Sequence, residues 1–191
     1  MTPYLTRVIR TVLALLCAFG VARAAADEPV LAGWQARQVE FTYVGFTTHY
    51  TCDGLRGKVK NLMRHVGVRD DLKVSTSGCE FAPGEIARMP RVRIQFATPV
   101  PRESGDRMAG EPVPAQWKTV VIRRDQPKNL GLGDCELVEQ FRDHVLPAFQ
   151  VREQSGQITC IPHQLSGSRI DLRFTALVPL PAPDRLRTRT N

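Results

Sequence analysis

Two periods of apolar residues alternate along the chain. Val39, Phe41 and Tyr43 are separated by Glu40 and Thr42. β-Branched and aromatic residues at period two predict a half-buried strand. Leu55, Val59, Leu62, Met63 and Val66 follow at helical spacing, which predicts a helix with one apolar stripe. Thr51 or Asp53 can accept backbone N–H groups at its start, and Gly67 can end it in the left-handed region. Leu72 and Val74 mark a second strand running towards Cys79. Val92, Ile94 and Phe96 alternate with Arg91, Arg93 and Gln95 in a third, with one wet face.

The same succession then returns. Val120 and Ile122 mark a strand, and Asp134 is read as the cap of a helix carrying Val138, Phe141, Val145, Leu146 and Phe149. Pro147 lies inside that pattern and has no N–H, which predicts a kink or an early stop. Val151 to Cys160 reads as the next strand, and Ile170, Leu172 and Phe174 alternate in the last.

The two successions align. With Cys52 placed on Cys135, Leu55 meets Val138, Leu62 meets Val145, Val66 meets Phe149, and Arg69 meets Arg152. Arg91 to Phe96 lies on Arg169 to Phe174, and Val100-Pro101 on Val178-Pro179. The expected fold is therefore α+β: an internal duplication of a β-α-β-β unit, forming a mostly antiparallel six-stranded sheet with two helices on one face. Units of this size are marginal alone, which favours a shared core over two modules. The expected boundaries are 27–101 for the first copy, 102–116 for a Pro/Gly-rich linker loop, 117–179 for the second copy and 180–191 for a flexible basic tail.

The first 26 residues read as a secretory signal. Arg7 and Arg10 precede the apolar run Thr11 to Ala22, which is too short to span a bilayer, and Ala22-Arg23-Ala24 and Ala24-Ala25-Ala26 both fit a cleavage site. Cleavage near Ala24 or Ala26 removes Cys17 and leaves four cysteines. An even count in an exported chain reads as disulfides. The repeat pairs them within each copy, Cys52 with Cys79 and Cys135 with Cys160. No later segment is long and apolar enough for a transmembrane helix. Arg outnumbers Lys and no Asn-x-Ser/Thr sequon occurs, which points to a bacterial protein, periplasmic or secreted.

Charge changes the picture less than it first suggests. The formal net charge of +7 falls to +4 once Arg7, Arg10 and Arg23, which have no accompanying acid, leave with the signal. The core shows no basic stripe with stacking partners, so nucleic acid is not an expected partner.

Candidate chemistry is sparse. His49, His65, His144 and His163 form no metal-ligand spacing, no G-x-S-x-G elbow occurs, and no cofactor, metal or catalytic residue is assigned. His65 and His144 read as outer or flanking helix positions. Arg56, Lys58, Lys60 and Arg64 make the first helix basic, whereas Glu136, Glu139 and Asp143 make the matching face of the second acidic. The expected function is that of a non-catalytic binding or assembly protein of the bacterial cell envelope, whose partner is another envelope or extracellular protein. A secreted hydrolase built from His49, Asp53 and His163, and an inhibitor of a foreign enzyme, are the alternatives. Recognition is expected in loops where the copies differ, with His49, Tyr50, Arg107, Met108 and Trp117 as candidate partner-binding residues.

Overall fold

The computed structural model describes residues 28–79, 86–102 and 112–181. The signal segment, the tail from residue 182 and the candidates Arg107 and Met108 lie outside the described residues. The elements run β1 (Val30–Thr42), α1 (Cys52–Val66), β2 (Lys73–Ser77), β3 (Arg91–Pro101), β4 (Val113–Arg123), α2 (Cys135–Gln140), β5 (Val151–Ile161) and β6 (Gln164–Pro179). The six strands form one antiparallel sheet in the order β2-β3-β1-β4-β6-β5.

Helix α1 forms as its stripe predicts. Leu55, Val59, Leu62, Met63 and Val66 are all buried, the Thr51 side chain accepts from the Gly54 N–H, and Gly67 closes the helix with φ 94°. That left-handed conformation favours glycine. The second helix keeps α geometry only to Gln140. A π-helical turn (Phe141–Val145) and a 3-10 turn (Leu146–Ala148) carry it past Pro147. The loosened turn keeps the Leu146 N–H bonded to the Phe141 carbonyl although proline cannot continue the ladder.

Both helices share one core with alternate strand positions. Phe41, Val92, Ile94 and Phe96 from the first half join Val120, Ile122, Ile170, Leu172 and Phe174 from the second, together with the stripes of α1 and α2. A smaller cluster of Ala32, Ala115 and Leu177, with Val30, Val113 and Trp117 packed on it, occupies the other alternation of the strands. The disulfides join Cys52 to Cys79 and Cys135 to Cys160, with Cα separations of 6.1 and 5.6 Å. Each ties the first residue of a helix to the strand region that follows it.

Strands β1 and β4 begin earlier than the alternation suggested. Strand β4 starts at Val113, so Val113 to Gln116, expected in the linker, belongs to the sheet. Here Val30-Leu-Ala-Gly-Trp34 is matched 83 positions later by Val113-Pro-Ala-Gln-Trp117, the same offset as Cys52 to Cys135. These segments pair with each other: Val30 with Ala115, Leu31 with Pro114, Ala32 with Val113. The register is thus centred on Leu31 and Pro114, the residue 83 positions later. Within the halves, the pairing of Arg37 with Phe96 is matched by that of Val120 with Phe174.

Only those three positions join β1 to β4. Beyond them the strands part, and helices close their inner edges crosswise. The Gln140 side chain on α2 donates to the Val44 carbonyl (2.7 Å) and accepts from its N–H (3.0 Å). On α1, His65 Nε2 lies 2.8 Å from the Val121 carbonyl oxygen on β4.

Candidate functional site

Two buried carboxylates lie where the halves meet, at the start of α2. Asp134 and Glu136 are 4% and 5% exposed. The Tyr50 hydroxyl donates to Asp134 Oδ1 (2.5 Å), while Lys58 Nζ and the Gly131 N–H donate to Oδ2 (2.7 Å each). Glu136 accepts from the N–H groups of Phe46 and Thr47 and from the Thr47 hydroxyl. The Tyr43 hydroxyl donates to the Thr48 carbonyl (2.7 Å), and the Tyr43 and Tyr50 rings pack at 5.2 Å.

This geometry revises several expectations. Asp134 does not cap α2, since its oxygens are taken by Tyr50, Lys58 and Gly131. Glu136 is buried rather than part of an acidic outer face, and Lys58 reaches across to Asp134 and to the Asn129 carbonyl (2.5 Å). Tyr50 is 8% exposed, so it holds its loop from within and offers no surface to a partner. Burial pushes the Tyr43 hydroxyl far above its ordinary range, with the Glu136 and Asp134 charges adding. Burial first, and then the bond to Asp134, does the same to Tyr50. Two carboxylates whose lone pairs are filled by fixed donors, beside tyrosines held neutral, join two pieces of chain rather than move protons.

The histidines do not gather into a centre. His163 sits at the tip of the β5–β6 hairpin with its ring edge-on to Phe46 (6.2 Å). Asp53 pairs with Arg56 (2.7 Å), and His49 is exposed. His144 stacks on Phe41 (5.8 Å), and His65 is engaged with Val121, so neither is a merely solvated position. Among the described residues no three His, Cys, Asp or Glu side chains are placed to share a metal ion.

The sheet face turned away from the helices is different in character. Glu40 lies between Arg91 (3.4 Å) and Arg93 (2.9 Å), and in the other half Asp171 lies between Arg169 and Arg173 (3.3 Å each). The four arginine side chains are 53–64% exposed. Arg173 first, and then Arg169, holds the Asp171 carboxyl below its usual range. Two cations to each acid leave both halves of this face basic.

Each half also carries a tryptophan under an arginine. The Arg69 guanidinium lies 5.2 Å from the Trp34 ring centre, and that of Arg152 lies 3.6 Å from Trp117. Trp117 is therefore a half-buried strand residue and not a loop anchor. The separation in sequence is the same in both pairs, but 35 residues part the members, too far for any local pattern to link them. Against known proteins the chain stands apart: no family model matches it, and neither does any curated protein or solved structure.

Proposed function

We propose that this is an exported, disulfide-stapled, non-catalytic binding or assembly protein of the bacterial cell envelope, built by internal duplication of a β-α-β-β unit. One observation carries the binding role. The buried ionisable groups are spent on joining the halves, while the helix-free sheet face offers exposed arginines on a rigid platform. Such a face suits an anionic partner. The duplication is supported by the shared V-x-A-x-W segment, by the equal registers of Arg37–Phe96 and Val120–Phe174, and by the repeated Trp–Arg pairs. Export is supported by the two disulfides, which persist in oxidising compartments.

The test is to produce the full chain in a bacterium with an outer membrane, then fractionate the cells. The expected product starts near Asp27, carries both disulfides and sediments with isolated envelopes at low salt. Retention in the cytosol with free thiols would overturn the reading. So would an oxidised periplasmic protein that does not associate with envelopes.

A further inference from the structure

We infer that the first half carries, on the helix-free face, a pocket for a single acidic sugar residue of an envelope polysaccharide. A cavity of about 370 Å³ opens there, floored by Ala36 and Ala97 and bounded by Gln38, Gln95, Arg69 and Lys73. Its volume is at the small end of ligand pockets, which run from roughly 300 to 1,000 Å³. Ala36 and Ala97 are direct partners across β1 and β3, as are Gln38 and Gln95. Two adjacent small side chains therefore make the floor, and two amides make the wall.

The polar groups are arranged for a ring with hydroxyls and one carboxylate. Gln95 Nε2 donates to Gln38 Oε1 (3.1 Å). This fixes both amides and leaves the Gln38 NH₂ group as donor and Gln95 Oε1 as acceptor, the complement of sugar hydroxyls. Arg69 is held by Asp71 through Nε and an Nη (2.9 and 2.5 Å) and lies over Trp34. Asp71 stands against both Arg69 and the exposed Lys73, so two cations to one acid leave the rim a net positive charge for a carboxylate.

The residues that build this pocket are not repeated in the second half. At the equivalent positions Thr119 and Thr175 replace the two alanines, Val121 replaces Gln38 and Arg173 replaces Gln95. Thus the floor is raised and the amide wall is gone. Glu40, Arg91 and Arg93 continue the polar track along the strands from Gln38 and Gln95, as a polymer extending beyond one ring requires. A membrane is disfavoured because the cavity rim carries amides and charges with no exposed large apolar side chain to insert. Single-stranded nucleic acid is disfavoured because Trp34 already lies against a guanidinium, which leaves no open stacking platform.

The inference rests on the binding role proposed above, and the experiment separates the two. Full-chain protein purified after export is titrated with an oligogalacturonate, a neutral cello-oligosaccharide, phosphatidylglycerol vesicles and a single-stranded DNA oligonucleotide. Tryptophan fluorescence is followed in a Trp117→Phe background, and calorimetry is run on the wild type. The expected result is saturable binding of the oligogalacturonate alone, lost in high salt. Lys73→Ala should weaken it about tenfold, and Ala36→Leu, at an exposed position, should abolish it. Arg56→Ala, on α1 and paired with Asp53, should change it less than twofold. Absence of oligogalacturonate binding, tighter binding of vesicles or DNA, or equal weakening by Arg56→Ala would overturn the pocket. If envelope association nevertheless persists, the binding role stands and only the pocket falls.

Discussion

His65 Nε2 lies 2.8 Å from the carbonyl oxygen of Val121, so a helix of the first half closes a strand edge of the second. Gln140 on α2 returns the arrangement by closing both backbone groups of Val44, just past β1. Unpaired strand edges are templates for unwanted pairing. These two side chains seal the places where β1 and β4 have parted. They also make each helix a member of the other half's structure, which two independent modules would not show.

Replacing His65 with Ala should lower the unfolding free energy by about 1 kcal/mol, the net worth of a hydrogen bond. Gln140→Ala should cost about 1–2 kcal/mol, because two backbone groups lose their partner. Urea denaturation followed by circular dichroism would measure both. If the halves unfold as one body, each variant shows a single transition. A biphasic curve would contradict the shared core.

Asp134 should be among the most sensitive polar positions in the protein. Removing its carboxylate in Asp134→Ala leaves Lys58, the Tyr50 hydroxyl and the Gly131 N–H without their acceptor, at a cost of about 3 kcal/mol. Tyr50→Phe removes one of these bonds and should cost about 1 kcal/mol. Because Tyr50 and Asp134 are direct partners, the double variant should cost less than the sum of the singles. Strict additivity would show that the pair is not coupled.

Much of this fold is legible in the chain. The α1 stripe, the wet and dry faces of β3, the early end of α2 before Pro147 and both disulfide pairings follow from period, proline chemistry and the alignment of the two successions. The stretches Leu31 to Ala36 and Val113 to Trp117 are not legible as strands. Gly33, Ala32 and Pro114 have low strand preference, and their pairing with each other is a non-local fact. Glu136 is misleading for the same reason. An acid beside a helix start reads as solvated, and only the loop at Phe46 and Thr47, about 90 residues earlier in the chain, reveals why it is buried. The pocket over Ala36 and Ala97 needs the β1–β3 register, which no local pattern supplies.

Alkaline titration gives a direct test of the tyrosine pair. Folding raises the pKa of Tyr43 and Tyr50 above the unfolded value of about 10. The fold thus favours the neutral phenols. Their contribution is fully present below pH 10 and is lost as pH rises beyond it, because the unfolded chain ionises first. Residues 27–191 contain no other tyrosine. Tyrosinate absorbance at 295 nm should therefore appear only together with loss of the far-ultraviolet signal. A rise centred near pH 10 in a folded protein would contradict the burial of both rings.

Each disulfide closes a loop of similar length, with separations of 27 and 25 residues. Chain entropy assigns about 3.5 kcal/mol to either one. The Cys52→Ala/Cys79→Ala and Cys135→Ala/Cys160→Ala variants should therefore lose comparable stability, measured by urea midpoints. A chain lacking both should be largely unfolded at 37 °C. Non-reducing peptide mapping of the wild type should recover no peptide that joins the two halves.

The seam at Leu31 and Pro114 has a consequence for shortened chains. An offset of 83 residues maps its register onto itself, so the edge of β1 at Val30, Leu31 and Ala32 is met by a segment with the same V-x-A order. A fragment ending before β4 would bare a self-matching strand, and two such fragments could pair antiparallel through Val30, Leu31 and Ala32. Truncation would then convert an intramolecular joint into a concentration-dependent association, with the covalent linker's role passed to mass action.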